Sequence, residues 1–229
     1  MSRYVLTFYK KGNMRFISHL DMQRLFRRVL YRANIPLEFS QGFNPHPITN
    51  LVQPLSLGFE AEKDYFEFET KVKLNTETLL ESLNQALPAG IAFTGIKEIP
   101  HEKKNLSSVT EYSSFLVFIL GSTTSKEEIS DFLSQKEILV LKRDKKTKQY
   151  VEKDMKNWIY SISGPNDIED GQIFEMILRA APNETLNPSQ LCDSLLKFTN
   201  QISDEVRITR TDLLFNENGT LKSLFNREI

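Results

Sequence analysis

The chain has a single cysteine, Cys192, in 229 residues. One thiol cannot close an internal disulfide, build a thiolate-rich zinc site or hold an iron–sulfur cluster by itself. Long apolar runs are absent as well. No stretch approaches the roughly 18 residues of a membrane span, and Met1-Ser2-Arg3-Tyr4-Val5 lacks the apolar core of a signal peptide, so a cytoplasmic protein with no membrane contact is expected. Only three histidines occur, with no HExxH spacing, and neither a metal nor a cofactor is expected. The phosphate-loop pattern GxxxxGK[ST], the dinucleotide fingerprint GxGxxG and the hydrolase elbow GxSxG are all missing. Their absence removes the commonest nucleotide-dependent and hydrolytic readings.

What is present is an ordinary globular composition, 40% hydrophobic and 26% charged, close to the average for soluble domains. The length suits one large domain or two of about 100 residues, and two are expected. Charge is unevenly placed. Residues 1 to 48 hold eight Lys and Arg against Asp21 and Glu38, a net of +6, which leaves −7 for the rest of a chain whose total is −1. Such asymmetry points to a local anion-binding face on an otherwise acidic protein.

Hydrophobic periodicity gives the element order. Arg3 to Lys10 alternates like a strand and is broken by Gly12-Asn13. Ser18 is a good N-cap with Asp21 three residues on, and the helical pattern runs to about Ala33 before Pro36. Extended segments follow around a Pro-rich loop, then a strand over Asp64–Val72, a helix over Thr76–Leu87 and a strand over Ile91–Ile99. The order is βαββαβ, the ferredoxin-like arrangement. The second half repeats it: a strand at Tyr112–Leu120, a helix at Ser125–Ser134 and strands at Glu137–Lys142, Trp158–Ser163 and Gln172–Arg179. A helix at Pro188–Asn200 and a strand at Glu205–Phe215 complete it. The expected fold class is therefore α+β, two tandem ferredoxin-like α/β sandwiches over 1–103 and 108–229, with Lys142–Lys156 as a charged hairpin or insertion and a polar run from His101 to Ser108 between them.

At 100° per residue the first helix puts Arg24, Arg27, Arg28, Tyr31 and Arg32 on one side and Met22, Leu25, Phe26, Val29, Leu30 and Ala33 on the other. Arginine forks suit phosphates and stack on bases, so this face, with Lys11 and Arg15 ahead of it, is a candidate RNA- or anion-binding surface. A solvated helix face is the plainer alternative, although only Asp21 is nearby as an acidic partner. The loop Ser40-Gln41-Gly42-Phe43-Asn44-Pro45-His46-Pro47 has neither helical nor strand periodicity. Ser40, Gln41, Phe43, Asn44 and His46 are candidate contacts: Gly42 allows close backbone approach, and Phe43 can stack on a base or anchor the loop in the core. His19 and His46 are candidate acid and base for RNA cleavage, although His19 projects toward the apolar side of its helix. Cys192 sits in an amphipathic pattern and reads as a packing residue.

Four stretches carry a family resemblance: Lys11-Gly12-Asn13-Met14-Arg15-Phe16-Ile17-Ser18-His19-Leu20-Asp21, then Arg24 to Arg28, then Phe39-Ser40-Gln41-Gly42-Phe43-Asn44-Pro45-His46-Pro47, and Gln53-Pro54-Leu55-Ser56-Leu57-Gly58. The sequence resembles the radical-SAM-linked domain family of unknown function, specifically over residues 1 to 60. The resemblance implies a stand-alone companion of a cobalamin-binding radical-SAM enzyme. The chain has no CxxxCxxC and so is not itself such an enzyme. The expected function is an RNA-binding accessory protein that presents substrate to that partner, a binding role being favoured over an enzymatic one. Two alternatives stay open: an endoribonuclease of the tandem ferredoxin-like type using His19 and His46, and a protein–protein adaptor of the radical-SAM enzyme that never touches RNA.

Overall fold

The computed structural model of the chain describes residues 1–100, 104–144 and 147–226. Residues 101–103 of the expected polar run, and 145–146 of the charged insertion, lie outside the described residues. The protein is a mixed α/β chain that groups into two compact units, Met1–Val109 with Arg210–Ile229, and Thr110–Thr209.

In the first unit β1 (Ser2–Lys10), α1 (His19–Arg32), β2 (Thr49–Leu51), β3 (Glu60–Thr70), α2 (Leu79–Asn84), β4 (Ile91–Ile99) and the short α3 (Leu106–Val109) follow one another. β1 pairs antiparallel with both β3 and β4, and β2 pairs antiparallel with β3, giving the order β2, β3, β1, β4. Every β1 residue but Ser2 and Tyr9 is buried because both faces of this sheet are covered. Tyr4, Leu6 and Phe8 on one face meet Phe66 and Phe68 of β3 and the apolar stripe of α1, Met22, Phe26, Val29 and Leu30. Phe26 is the hub, its ring 4.9 Å from Phe8, 5.0 Å from Phe66 and 4.9 Å from Phe93. Val5 and Tyr65 on the other face form a smaller cluster with Ile99, Leu106, Leu213 and Leu224.

The ends of α1 follow from its sequence. The Ser18 hydroxyl accepts the Asp21 amide at 3.1 Å, the expected cap. At the far end Asn34 takes φ 53°, its amide bonds the Tyr31 carbonyl, and the Ile35 amide bonds that of Leu30. That is a Schellman stop with buried Leu30 and Ile35 on either side of it. α2 is shorter than the pattern over Thr76–Leu87 predicts. Thr78 supplies no side-chain cap, and beyond Asn84 the bonds tighten, Ala86 to Leu83 and Leu87 to Asn84. The Asn84 amide instead holds β4, bonding both backbone groups of Phe93 at 2.8 and 2.9 Å.

In the second unit the elements are β5 (Tyr112–Leu120), α4 (Lys126–Ser134), the hairpin β6 (Leu139–Arg143) with β7 (Tyr150–Asp154), β8 (Ile159–Ile168), β9 (Gly171–Ala181), β10 (Glu184–Thr185) and α5 (Pro188–Phe198). β9 lies antiparallel between β5 and β8, and among the described residues β6 pairs only with β7, so the charged segment is a separate hairpin. β11 (Val206–Glu217) starts in this unit, ends in the first and is followed there by its partner β12 (Thr220–Ser223). α4 opens with a full capping box, Ser125 with Glu128. α5 packs Leu191, Cys192 and Leu195 inward. Burial pushes the Cys192 thiol up to about 12, so it stays protonated and inert.

Candidate functional site

α1 turns Arg24, Arg28, Tyr31 and Arg32 to solvent. Arg24 reaches Asp21 at 3.0 Å in an open i, i+3 pair, which contributes little. Bonds from Ser18 and Arg24 hold the Asp21 carboxyl below its usual range. Arg27 differs from its neighbours: it is half-buried, and its Nε donates to the Thr49 hydroxyl at 2.8 Å. Thr49 lies two residues past Pro47, so one arginine of the helix is tied to the strand that leaves the Ser40–Pro47 loop. Ahead of the helix, a 3-10 turn over Gly12–Phe16 places the Arg15 guanidinium 4.9 Å from the Phe16 ring centre, while Lys11 lies 5.9 Å from that of Tyr9.

The loop is closed at its base and open at its tip. Phe39 and Pro47 form an antiparallel bridge, the Ser40 amide bonds the His46 carbonyl at 2.9 Å, and the Ser40 hydroxyl accepts the His46 amide at 3.1 Å. The same hydroxyl is 3.0 Å from His46 Nδ1. Ser40 and His46 are thereby brought together as the brace of the loop. Gly42, at φ +129°, makes the bend, and Gln41, Phe43 and Asn44 stand in solvent, the Phe43 ring with no protein cover at all. His19 and His46 make no contact with each other among the described residues.

His19 instead lines a narrow pocket with Lys10, Met22, Gln53, Leu55 and Asp64, whose free volume of about 20 Å³ admits roughly one water. Lys10 is 2% exposed, and among the described residues its ammonium has one long bond, 3.5 Å to the Arg15 carbonyl. Burial, opposed by Asp64, lowers its pKa to about 8. Burial likewise lowers His19 below the usual imidazole value, so it is neutral at pH 7. Asp64 is itself paired with buried Arg210, which also donates to the carbonyls of Gln53 at 3.1 Å and Pro54 at 3.3 Å, while its Nε has no partner among the described residues. Sequence reasoning missed Lys10, Asp64 and Arg210 as a site. One signal was available: Lys10 continues the inward series Tyr4, Leu6, Phe8 at a spacing of two, where a charge is costly. Among the described residues no group of three or more His, Cys, Asp or Glu is placed to hold a metal ion. No helix among them is long and apolar enough to cross a membrane.

A mixed α/β protein, with its candidate surface and pocket both on the first unit, is what the fold and these residues define. The chain belongs to the family described as "uncharacterized protein conserved in bacteria" (DUF2344), which matches residues 3–188. No curated protein matches it. Among solved structures it is similar to a chain in the crystal structure of a Cbf5–Nop10–Gar1 complex, 12% identical, with 97% of this chain and 53% of that one covered at a TM-score of 0.48. It is similar also to a chain of an H/ACA RNP bound to a substrate RNA containing 2′-deoxyuridine, 13% identical, covering 91% and 47% at 0.45. The chain thus spans about half the length of these two solved chains.

Proposed function

We propose that this protein is a cytoplasmic RNA-binding accessory protein that presents its substrate to a cobalamin-dependent radical-SAM partner enzyme. The observation that carries the RNA reading is Phe43, a fully exposed aromatic ring held out on a braced loop. That loop leads into the strand to which Arg27 is tied. An exposed ring costs free energy in water, and together with the exposed guanidinium groups of α1 it supplies the stacking and phosphate contacts that single-stranded RNA uses. The radical-SAM partner rests on the resemblance of the SHLD and SQGFNPHP stretches.

We take the two units as ferredoxin-like sandwiches, the chain passing from the first to the second just after residues 103–108 and returning to the first at Arg210. The antiparallel order β2, β3, β1, β4, with α1 and α2 on the two crossovers, supports this for the first. For the second the support is β9 between β8 and β5.

Fluorescence titration with cellular RNA at several salt concentrations tests the binding. The expected affinity falls steeply with salt, and Arg24→Glu with Arg28→Glu weakens it at least tenfold and lowers the log–log slope by about 2. Phe43→Ala weakens binding by about 1–3 kcal/mol without altering thermal stability. Affinity insensitive to both salt and the arginine changes would refute the reading.

A protein–protein adaptor is the second reading, and a specific observation favours it. Phe16, Leu20 and Leu57 are each 60–62% exposed near Arg15, whose carbonyl accepts the Gly58 amide. Purification with the partner enzyme but without nucleic acid, abolished by Phe16→Ser with Leu20→Ser, would put this reading first.

A further inference from the structure

The backbone leading into α1 is held more firmly than a surface turn requires. The Lys11 amide bonds the Gly90 carbonyl at 2.8 Å, the Gly12 amide bonds the Glu60 carboxylate at 2.8 Å, and the Gly58 amide bonds the Arg15 carbonyl at 2.9 Å. The last of these lays the Leu57–Gly58 and Arg15–Phe16 peptide units side by side. The recess that His19 lines is shared by Ile17 from this segment and by Gln53 and Leu55 from the loop before β3. Phe16, Leu20 and Leu57 are near neighbours in the chain of those walls, and they stay 60%, 62% and 62% exposed.

Three large apolar side chains on a tied backbone cannot fold away from water, which disfavours them. Helix geometry gives Leu20 no route to the core. At 100° per residue it falls with Arg24 and Tyr31, opposite the buried stripe of Met22, Phe26, Val29 and Leu30. The apolar surface is also charged. The Arg15 guanidinium lies 4.9 Å from the Phe16 ring centre, and neither Arg15 nor Lys11 has an acidic partner among the described residues. The acids at this end are engaged elsewhere, Asp21 with Ser18 and Arg24, and Glu60 with the Gly12 amide.

These features select the kind of partner. The amides of Lys11, Gly12, Ile17 and Gly58 are all bonded within the protein, so an added strand finds no ladder here and recognition falls to side chains. Leucines give a nucleobase nothing to stack on, unlike Phe43 on its loop. A helix that lies in a membrane interface does so on its apolar face, and that of α1 is buried against the sheet. A protein helix with apolar residues on one side and Asp or Glu beside them matches both the leucines and the unpaired cations.

We infer that the surface of Phe16, Leu20 and Leu57 docks an acidic amphipathic helix of a protein partner, with Lys11 and Arg15 meeting its carboxylates. The inference rests on the adaptor reading above and adds the chemistry of what docks. For the test, a library of helical peptides of about 18 residues, apolar on one face and carrying Glu, Gln or Lys on its flanks, is selected on the full-length protein. Peptides with flanking Glu are expected to be enriched and to bind about tenfold better than the same peptides with Lys. Phe16→Ser with Leu20→Ser is expected to abolish that binding without changing the melting curve, and Arg15→Glu to erase the preference for Glu. Enrichment indifferent to charge, or binding that survives these substitutions, overturns the inference. So does an absence of enriched peptides where Phe16→Ser with Leu20→Ser instead releases the protein from phosphatidylglycerol vesicles or from RNA. Co-purification with the radical-SAM enzyme that needs Phe16 and Leu20, without any enrichment of acidic peptides, would keep the adaptor reading and remove the acidic helix. Enrichment as expected without that co-purification would keep the docking surface and remove that enzyme as its occupant.

Discussion

Lys10 carries a buried charge whose cost can be read from its titration. An unfolded chain titrates this ammonium at 10.5, the folded one at about 8. Between those values the unfolded state holds more protons, so stability rises with pH across the window from 8 to 10.5, and below 8 the whole penalty of the buried charge applies. Lys10→Met keeps the length and removes the charge. It is expected to stabilise the protein by about 3 kcal/mol at pH 7 and by almost nothing above pH 10.5, which urea titrations at pH 7 and pH 10.5 would measure. A gain equal at both values would mean that packing, not charge, is the cause. A charge kept at that cost beside His19 and Asp64 makes the small pocket they line a candidate site. The alternation of β1 made the inward position of Lys10 legible. Its partners were not, because Arg210 lies 146 residues beyond Asp64 and no local pattern links them.

At the scale of elements, the helices with chemical stops at both ends were the legible ones. α1 and α5 end alike: Asn200 takes φ 53° as Asn34 does, and the Gln201 amide bonds the Leu196 carbonyl as Ile35 bonds Leu30. Asparagine tolerates the left-handed region at low cost, glycine at none, and alanine pays about 1–2 kcal/mol. Asn34→Ala should therefore lower stability by about that amount while Asn34→Gly leaves it nearly unchanged, as thermal denaturation would show. α2 escaped because its apolar spacing continues past the point where Asn84 leaves the helix to grip β4. The arginine face of α1 was readable from periodicity alone, except that Arg27 proved committed to Thr49. That bond depends on where β2 lies, which helical spacing does not encode. The outward placement of Phe43 was one of two possibilities at the sequence level. The Ser40–His46 brace, which makes the loop self-supporting, leaves the core without need of the ring.

For the whole molecule, the first unit is discontinuous in sequence. Arg210, Leu213, Phe215 and Leu224 belong to it although about a hundred residues of the second unit intervene. A chain ending at Val109 would bury Asp64 without its guanidinium and lose the apolar cover of Val5 and Tyr65, a loss of several kcal/mol in a domain with little to spare. It is expected to show no cooperative melting by circular dichroism. Residues 1–109 joined through a Gly/Ser linker to 210–226 should melt cooperatively. Cooperative melting of 1–109 alone would contradict the account.

The same discontinuity sets an order of events during synthesis. When β1 and β3 have left the ribosome, the salt-bridge partner of Asp64 is still 146 residues away, roughly 7–30 s at ordinary translation rates. Throughout that interval the arginine helix and its loop are already made while the sheet beneath them lacks its last strand. The nascent chain cannot complete that sheet until Arg210 and the residues after it have been made.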